Sequence, residues 1–404
     1  MSLAAAESPG IEKEKEVPGR DWVLLTLLGV LTIATLTASL NIIGGRLFAK
    51  NLSIGDCIAI DPVTGEHGVP NKVCTKKTPE GQPVEYRLNH CGDRAGMECG
   101  TKTPGAFRIV MAGPSYAFGW GIPRQQTFAA LLPAELSRLT GRTVELYNTS
   151  QIGEGGVPRS IDLRFNDVLA EHPDAILWVL DPWGIDKADR TLRAWEEHSP
   201  LRIVGQMVKQ ALKGKPSFKE MPTLQTSVQD KWLTWNPGVI LMEHYLFQSQ
   251  SEYVRQSLVK GPESGFLKAE PDAYWQYRLK KFDAYAADIE GRAKAAGVPI
   301  VVVLVPNRAQ VAMISMSDWP SGYDPYALGK QLRAIVTSHG GTYIDILQDF
   351  RAIPNAEKHY YPTDDHPDPS AHAMIADMLA KELTGGAVPA LRAAPMTQPA
   401  GQRR

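Results

Sequence analysis

Ser115, Asp364 and His366 are the residues of this chain whose types and spacing suit nucleophilic chemistry. A serine hydroxyl attacks poorly at neutral pH unless a base takes its proton. A histidine can act as that base, since its pKa lies near the working pH. It needs an acceptor on its other ring nitrogen to fix the tautomer, and Asp364, two residues before His366, can supply one. Ser115 lies in Gly113-Pro114-Ser115-Tyr116-Ala117-Phe118-Gly119-Trp120-Gly121, between a short apolar run ending at Ala112 and a helical pattern from Thr127 to Leu139. A Gly-framed serine between strand and helix is a setting that exposes a nucleophile. The same composition also makes a plain connecting turn. An acyl intermediate needs backbone N–H groups for its oxyanion. The candidates are the amides of Ser115 and of Gly153, the latter closing Asn148-Thr149-Ser150-Gln151-Ile152-Gly153.

The elements that must position these groups alternate regularly from residue 106. Strand patterns cover Arg108–Ala112, Thr143–Tyr147, Ala175–Leu180, Pro299–Val305 and Thr342–Ile346. Helical patterns cover Thr127–Leu139, Ser160–Glu171, Asp272–Ala296, Tyr326–His339 and Ser370–Leu383. The continuous apolar runs read as buried strands. Strands separated by helices predict an α/β domain over 106–384, a parallel sheet with helices on both faces. Ligands bind such sheets at the carboxyl ends of the strands. Residues about 187–270 break the alternation with two amphipathic patterns, Leu192 to Leu212 and Val239 to Val259, and with Trp232, Trp235, Tyr245, Phe247 and Tyr253. They read as a helical insertion above the sheet, either a wall for substrate or helices packed on the core.

The chain of 404 residues is 43% hydrophobic and 22% charged, with a net charge of −1. That composition is globular, and it lacks the basic excess that nucleic-acid binding needs. Residues 1–21 read as a polar cytoplasmic tail. From Trp22 to Gly45 no residue is charged, long enough for a transmembrane helix. An uncleaved signal anchor over 22–45 is the expectation, a cleaved signal peptide the alternative. Cys57, Cys74, Cys91 and Cys99 all fall within 51–105. Without a C-x-x-C pair they suit disulfides in an oxidising compartment better than zinc. Three pairings are open, of which Cys57–Cys74 with Cys91–Cys99 is the most local. Segment 51–105 is therefore expected to be a disulfide-stapled extension, and the part beyond the membrane to lie outside the cytoplasm. In a bacterium this gives a single-pass inner-membrane protein with a periplasmic C-terminal domain. Residues 385–404, rich in Gly, Ala, Pro and Arg, read as a disordered tail. No histidine cluster has metal-ligand spacing, and Gly153-x-Gly155-Gly156 lacks the rest of a dinucleotide fingerprint, so neither a metal nor a nucleotide cofactor is implied. His198, His244, His339, His359 and His372 are given packing or capping roles.

Gly113-Pro114-Ser115 with the continuation Phe118-Gly119-Trp120-Gly121, Asn148 with Gly153, and Asp364-Asp365-His366-Pro367 stand in the order and spacing of the SGNH/GDSL hydrolase blocks. Residues 106–384 resemble that superfamily. The resemblance implies a flavodoxin-like three-layer fold, Ser115 as nucleophile, His366 as base, Asp364 as its orienter and Gly153 as an oxyanion donor. There are two departures. Pro114 replaces the aspartate of Gly-Asp-Ser, and Asp181-Pro182-Trp183-Gly184 stands where Gly-x-Asn-Asp is usual, so that Trp183 takes the place of the oxyanion asparagine. The membrane segment and incomplete blocks are similar to polysaccharide O-acetyltransferases of alginate and peptidoglycan systems. In Val305-Pro306-Asn307-Arg308, Asn307 and Arg308 resemble a substrate-binding loop of alginate-type members. The expected activity is that of an O-acyltransferase or acylesterase acting on a cell-envelope or exopolysaccharide. A transferase would take a polysaccharide acceptor and draw on a membrane acyl-donor protein. The alternative is a non-catalytic polysaccharide-binding or scaffolding module of an envelope complex.

Overall fold

The structure is a computed structural model that describes residues 19–47, 57–61, 64–76, 82–187, 253–254, 258, 261–362 and 364–392. Helix α1 (Gly19–Leu47) contains a span, Gly19–Ile43, that is long and apolar enough to cross a membrane, and none of that span is buried. Twenty-five residues at about 1.5 Å each exceed the roughly 30 Å hydrocarbon layer.

Two antiparallel hairpins follow, β1 (Ile58–Asp61) with β2 (Gly65–Gly68) and β3 (Val73–Lys76) with β4 (Val84–Arg87). Disulfide Cys57–Cys74 ties one hairpin to the other, and Cys91–Cys99 closes the loop after β4. Neither hairpin could bury an apolar face alone. Instead Ile58, Val84, Tyr86 and Leu88 share a small core with Phe118 and Ile152 of the main domain.

The main domain is a five-stranded parallel sheet in the order β6-β5-β7-β8-β9: Val144–Asn148, Phe107–Ala112, Ala175–Leu180, Ile300–Leu304 and Thr342–Asp345. This is the three-layer α/β fold expected, with the chain stepping from β5 to one side for β6 and to the other for β7. The carboxyl end of β5 is therefore the point where strand order reverses, the place such sheets keep for ligands.

Side-chain alternation assigns the two faces. Ile109, Met111, Leu177, Val179, Val301 and Val303 point to a layer with Phe128, Leu132, Leu136, Ile375 and Leu379. Val110, Ile176, Trp178, Leu180, Val302 and Leu304 point to the opposite layer with Trp275, Phe282, Ile289, Leu332 and Val336.

Among the described residues the α-helices of the main domain are, in chain order, α2 (Ser115–Phe118), α3 (Phe128–Thr140), α4 (Pro158–Leu163), α5 (Phe165–Ala170), α6 (Pro182–Lys187), α7 (Ala273–Ala295), α8 (Arg308–Ile314), α9 (Ala327–His339), α10 (Leu347–Phe350) and α11 (Pro369–Glu382). Their ends follow local chemistry. Thr127, Asp272 and Asp368 accept amide bonds from Ala130, Trp275 and Ala371, while Gly141 and Gly340 close α3 and α9 at φ 69° and 97°.

Residues 385–391, expected to belong to the tail, lie in helical turns, Leu383–Ala387 and Pro389–Leu391, because Val388 and Leu391 are buried in the α3 and α11 layer. Of the insertion about 187–270, the patterns Leu192 to Leu212 and Val239 to Val259, with Trp232, Trp235, Tyr245 and Phe247, lie outside the described residues except Tyr253, Val254 and Leu258. Tyr253, Phe266 and Leu267 pack into the core against α7.

Candidate active site

Strand β5 ends at Ala112, and within three residues the chain starts α2 with Ser115 in its first position. Gly113 is required by closeness rather than by φ: a side chain there would meet Val179 O at 2.8 Å and Val179 Cβ at 2.9 Å. Pro114 caps the helix at φ −82°, ψ −167°, and its carbonyl accepts from the Ala117 and Phe118 amides. A proline fits this position because its fixed φ suits it and no N–H is called on there. Among the described residues the amides of Ser115 and Tyr116 meet no acceptor.

Four residues cannot hold a helix by propensity. Each carbonyl of α2 from Ala117 on is instead met by a side chain. Asn148 Nδ2 donates to Ala117 O at 2.9 Å. Arg94 Nη1 donates to Phe118 O at 3.2 Å and to Gly119 O at 2.6 Å, and its Nη2 donates to Ile122 O at 2.8 Å. The Arg94 guanidinium lies 4.4 Å from the Tyr86 ring centroid, and burial pulls its pKa down to about 10, which leaves it charged.

His366 arrives from the other end of the domain. Its Nε2 lies 2.8 Å from Ser115 Oγ. Its Nδ1 lies 3.1 Å from the Asp364 carbonyl oxygen and 3.1 Å from Asp364 Oδ2. The angle favours the carbonyl as acceptor, with the carboxylate alongside. The carbonyl accepting at Nδ1, with the carboxylate charge beside it, holds the proton there and leaves Nε2 to accept from the serine.

The tight loop that makes this possible turns on Asp365 at φ 58°. Asp is one of the few side chains that tolerate that region. The turn is pinned by Tyr116 Oη donating to Asp365 O at 3.0 Å and by paired backbone bonds between Tyr361 and the Asp365–His366 segment. The Tyr116 ring stands edge-on to His366 at 5.1 Å, and Trp120 lies 6.4 Å away.

The second loop abuts the first. Gln151 N donates to Gly113 O at 3.1 Å, and Gly156 packs on the Gly113–Pro114 backbone. Gly153 adopts φ 54°, and the Glu66 carboxylate fills the space a side chain would take, with Oε1 2.5 Å from that position. Beneath this loop Asp93 accepts from Tyr147 Oη at 2.9 Å and from Gln151 Nε2 at 3.1 Å. Burial raises the Asp93 carboxyl to about 7, against the Tyr147 hydroxyl bond and the Arg164 charge, which pull it down.

The structure thus brings Ser115, Asp364 and His366 together, with the Gly153 loop beside them. Asn307, Arg308 and Trp183 have contacts of their own. Asn307 is buried and caps α8 in a reciprocal pair with Gln310, its Oδ1 accepting from Gln310 N at 3.0 Å. Arg308 is 2% exposed. Its Nη1 donates to Pro362 O at 2.7 Å and lies 3.8 Å from Asp365 Oδ1, and its guanidinium sits 4.0 Å from the Tyr253 ring. Both side chains are buried, and Arg308 braces the loop that carries His366. Trp183 sits in α6, partly exposed, with its ring edge-on to Phe266 at 6.1 Å.

Sequence reasoning missed Asp93, Arg94 and Tyr116. The adjacent charged pair Asp93-Arg94 inside a loop closed by two cysteines was the available signal. Among the described residues one grouping has metal-ligand proximity, His90 with Cys91 and Cys99, and the disulfide occupies both sulfurs.

No protein-family model matches the chain, and no curated protein does. Among solved structures the chain is similar to an acetyl xylan esterase at 13% identity, over 68% of this chain and 99% of that one, with a TM-score of 0.37. It is also similar to an acetylxylan esterase from Geobacillus stearothermophilus, solved as a catalytic mutant, at 13% identity over 70% and 96%, TM-score 0.36. TesA matches at 12% identity over 68% and 97%, TM-score 0.36. At this identity and overlap no residue's role is carried across from them.

Proposed function

We propose that this chain is a membrane-anchored, extracytoplasmic serine O-acyltransferase or acylesterase acting on a cell-envelope or exopolysaccharide. The observation that carries the catalytic part is the 2.8 Å contact between Ser115 Oγ and His366 Nε2, with Asp364 behind the ring. His366 takes the hydroxyl proton as Ser115 Oγ attacks the acyl carbonyl carbon. The oxyanion is held by the amides of Ser115 and Gly153. Collapse expels the donor's alkoxide, which leaves with the proton from His366. The acyl-serine is then attacked by an acceptor, a sugar hydroxyl or water, whose proton passes to His366 and on to Ser115 Oγ as the sugar ester, or with water the carboxylic acid, departs.

The compartment and the acceptor rest on other features. Both disulfides suit an oxidising space. Helix α1 suits an anchor. Transfer to sugar requires that water be kept from the acyl-serine, and a transferase would need its acyl group delivered by a membrane donor protein.

The test uses a fluorophosphonate serine probe on the full chain. Labelling is expected, and Ser115→Ala should abolish it. A chain that is folded yet never labels is a binding module instead. Release of 4-nitrophenol from its acetate ester, with and without an oligosaccharide acceptor, separates the two activities. Hydrolysis alone, with no acylated oligosaccharide under any condition, removes the transferase half.

A further inference from the structure

We propose that Arg94, on the loop closed by Cys91–Cys99, is the positioning residue for the nucleophile: its guanidinium fixes α2 and so sets where Ser115 points. This rests on the serine reading above and adds to it a role for the extension. Helix α2 is one turn long, and its own bonds are few: Ser115 O accepts from the Gly119 and Trp120 amides at 3.0 Å each. Past that, the carbonyls of Phe118, Gly119 and Ile122 all converge on one guanidinium, whose planar fork can serve several acceptors at once.

These carbonyls lie at the negative end of the turn, where a cation is favoured. Arg94 is 2% exposed, and its guanidinium lies against the stacked rings of Tyr86, on β4, and Phe118, on α2, 4.4 and 5.5 Å from their centroids. It has no other partner among the described residues, and its Nε meets none. So the contacts of this buried cation with the main domain go to the turn that carries Ser115.

The neighbouring residue does the equivalent on the other loop. Asp93 accepts from Gln151, and Gln151 in turn accepts the Gly68 amide at 3.0 Å and donates its own amide to Gly113 O. Two adjacent side chains of one disulfide loop therefore hold the serine turn and the second loop in register. A merely packed extension would not need a buried charge there, since an apolar side chain would fill the same space without the desolvation cost.

The experiment compares the full chain with Arg94→Ala, Arg94→Lys and, as a control, Arg108→Lys. Arg108 is as buried as Arg94, but pairs with Glu145 on β6 and Glu171 just after α5, near the start of β5 and away from α2. Fluorophosphonate labelling rates are measured well below each thermal midpoint, with and without methylguanidinium. Hydrogen exchange is followed in a peptide spanning 113–123. Arg94→Ala should label about a hundredfold more slowly, as a misplacement near 1 Å does. Methylguanidinium should recover at least tenfold of that in Arg94→Ala and nothing in the parent. Exchange in the 113–123 peptide should rise in both Arg94 variants and not in Arg108→Lys.

If the Arg94 variants fold and label within threefold of the parent, or if Arg108→Lys slows labelling equally, the positioning role is wrong. Should the parent itself fail to label, the serine reading falls, and the exchange data still decide whether Arg94 holds α2. Unchanged exchange in that peptide overturns the proposal on its own. Arg94→Lys, which keeps charge and length, stands in if Arg94→Ala does not fold.

Discussion

Substituting Gly156 by alanine should slow the serine without touching it. A methyl group at Gly156 would come to 2.6 Å from both Gly113 O and Gln151 O, and closer still to Pro114 Cα. All three obstacles are backbone, so none can swing aside as a side chain would. Ordinary contact begins near 3.4 Å, so the second loop and the serine turn must move apart by roughly 1 Å, Pro114 Cα being the nearest obstacle. Overpacking of this kind costs about 1–3 kcal/mol of stability. Moving the nucleophile turn by nearly 1 Å relative to His366 costs about a hundredfold in rate, or ~2.7 kcal/mol in the barrier.

The assay is the second-order rate of fluorophosphonate labelling, alongside a thermal melt. Gly291→Ala serves as the reference. That glycine lies exposed on α7 with nothing within 4 Å of its added methyl, so the change should raise helix stability by up to about 1 kcal/mol and leave labelling alone. A folded Gly156→Ala chain that labels at the parent rate would refute the claim that the second loop fixes Ser115.

Asp364→Asn should lower labelling on the order of a hundredfold, short of the ~10⁴ seen when the histidine tautomer is lost, because the Asp364 carbonyl still accepts from Nδ1; a full 10⁴ loss would mean the carboxylate alone sets the tautomer. His372 is fully buried with its Nδ1 accepting the Phe128 amide, and burial lowers its pKa to about 3. With the unfolded value near 6.5, its contribution to stability is whole above pH 6.5 and is lost as pH falls towards 3, roughly 4–5 kcal/mol in all. The thermal midpoint of the parent should therefore fall towards that of His372→Asn between pH 7 and pH 4, and a gap that does not change with pH would contradict this. Replacing Cys57 and Cys74 by alanine opens a loop of sequence separation 17 and should cost about 3 kcal/mol in denaturant unfolding; an unchanged midpoint would mean that packing alone holds the hairpins.

Much of the α/β domain was legible because its strands are continuous apolar runs and its helices carry caps. Ala175–Leu180 was read to the residue, and Gly340 was read as a stop. Ser115 and His366 were legible because each sits where a strand pattern ends or a helix pattern begins. The local pairing of the cysteines was the simplest of three and is the one present.

What could not be read was long-range and aperiodic. Nothing about Arg94 announces that it will meet carbonyls 24 to 28 residues on. Asn307 and Arg308 were picked out by a family resemblance alone, which does not foretell that the α8 cap and the His366 loop bury them. Residues 385–391 read as tail from their Gly, Ala and Pro content, although Val388 and Leu391 among them are core.

Ser115 and His366 are separated by 251 residues, and this span governs when the chain can become reactive. The serine, its brace and the second loop all come from residues 57–156, so they are in the chain well before the base is. The base comes with the last helix, after the whole sheet has closed. A chain interrupted during synthesis, or clipped before residue 366, would hold a formed nucleophile turn with no proton acceptor. Probe reactivity is thus a measure of completed assembly, and labelling followed through a refolding reaction should appear with the docking of α11, later than the burial of Tyr86 and Trp120.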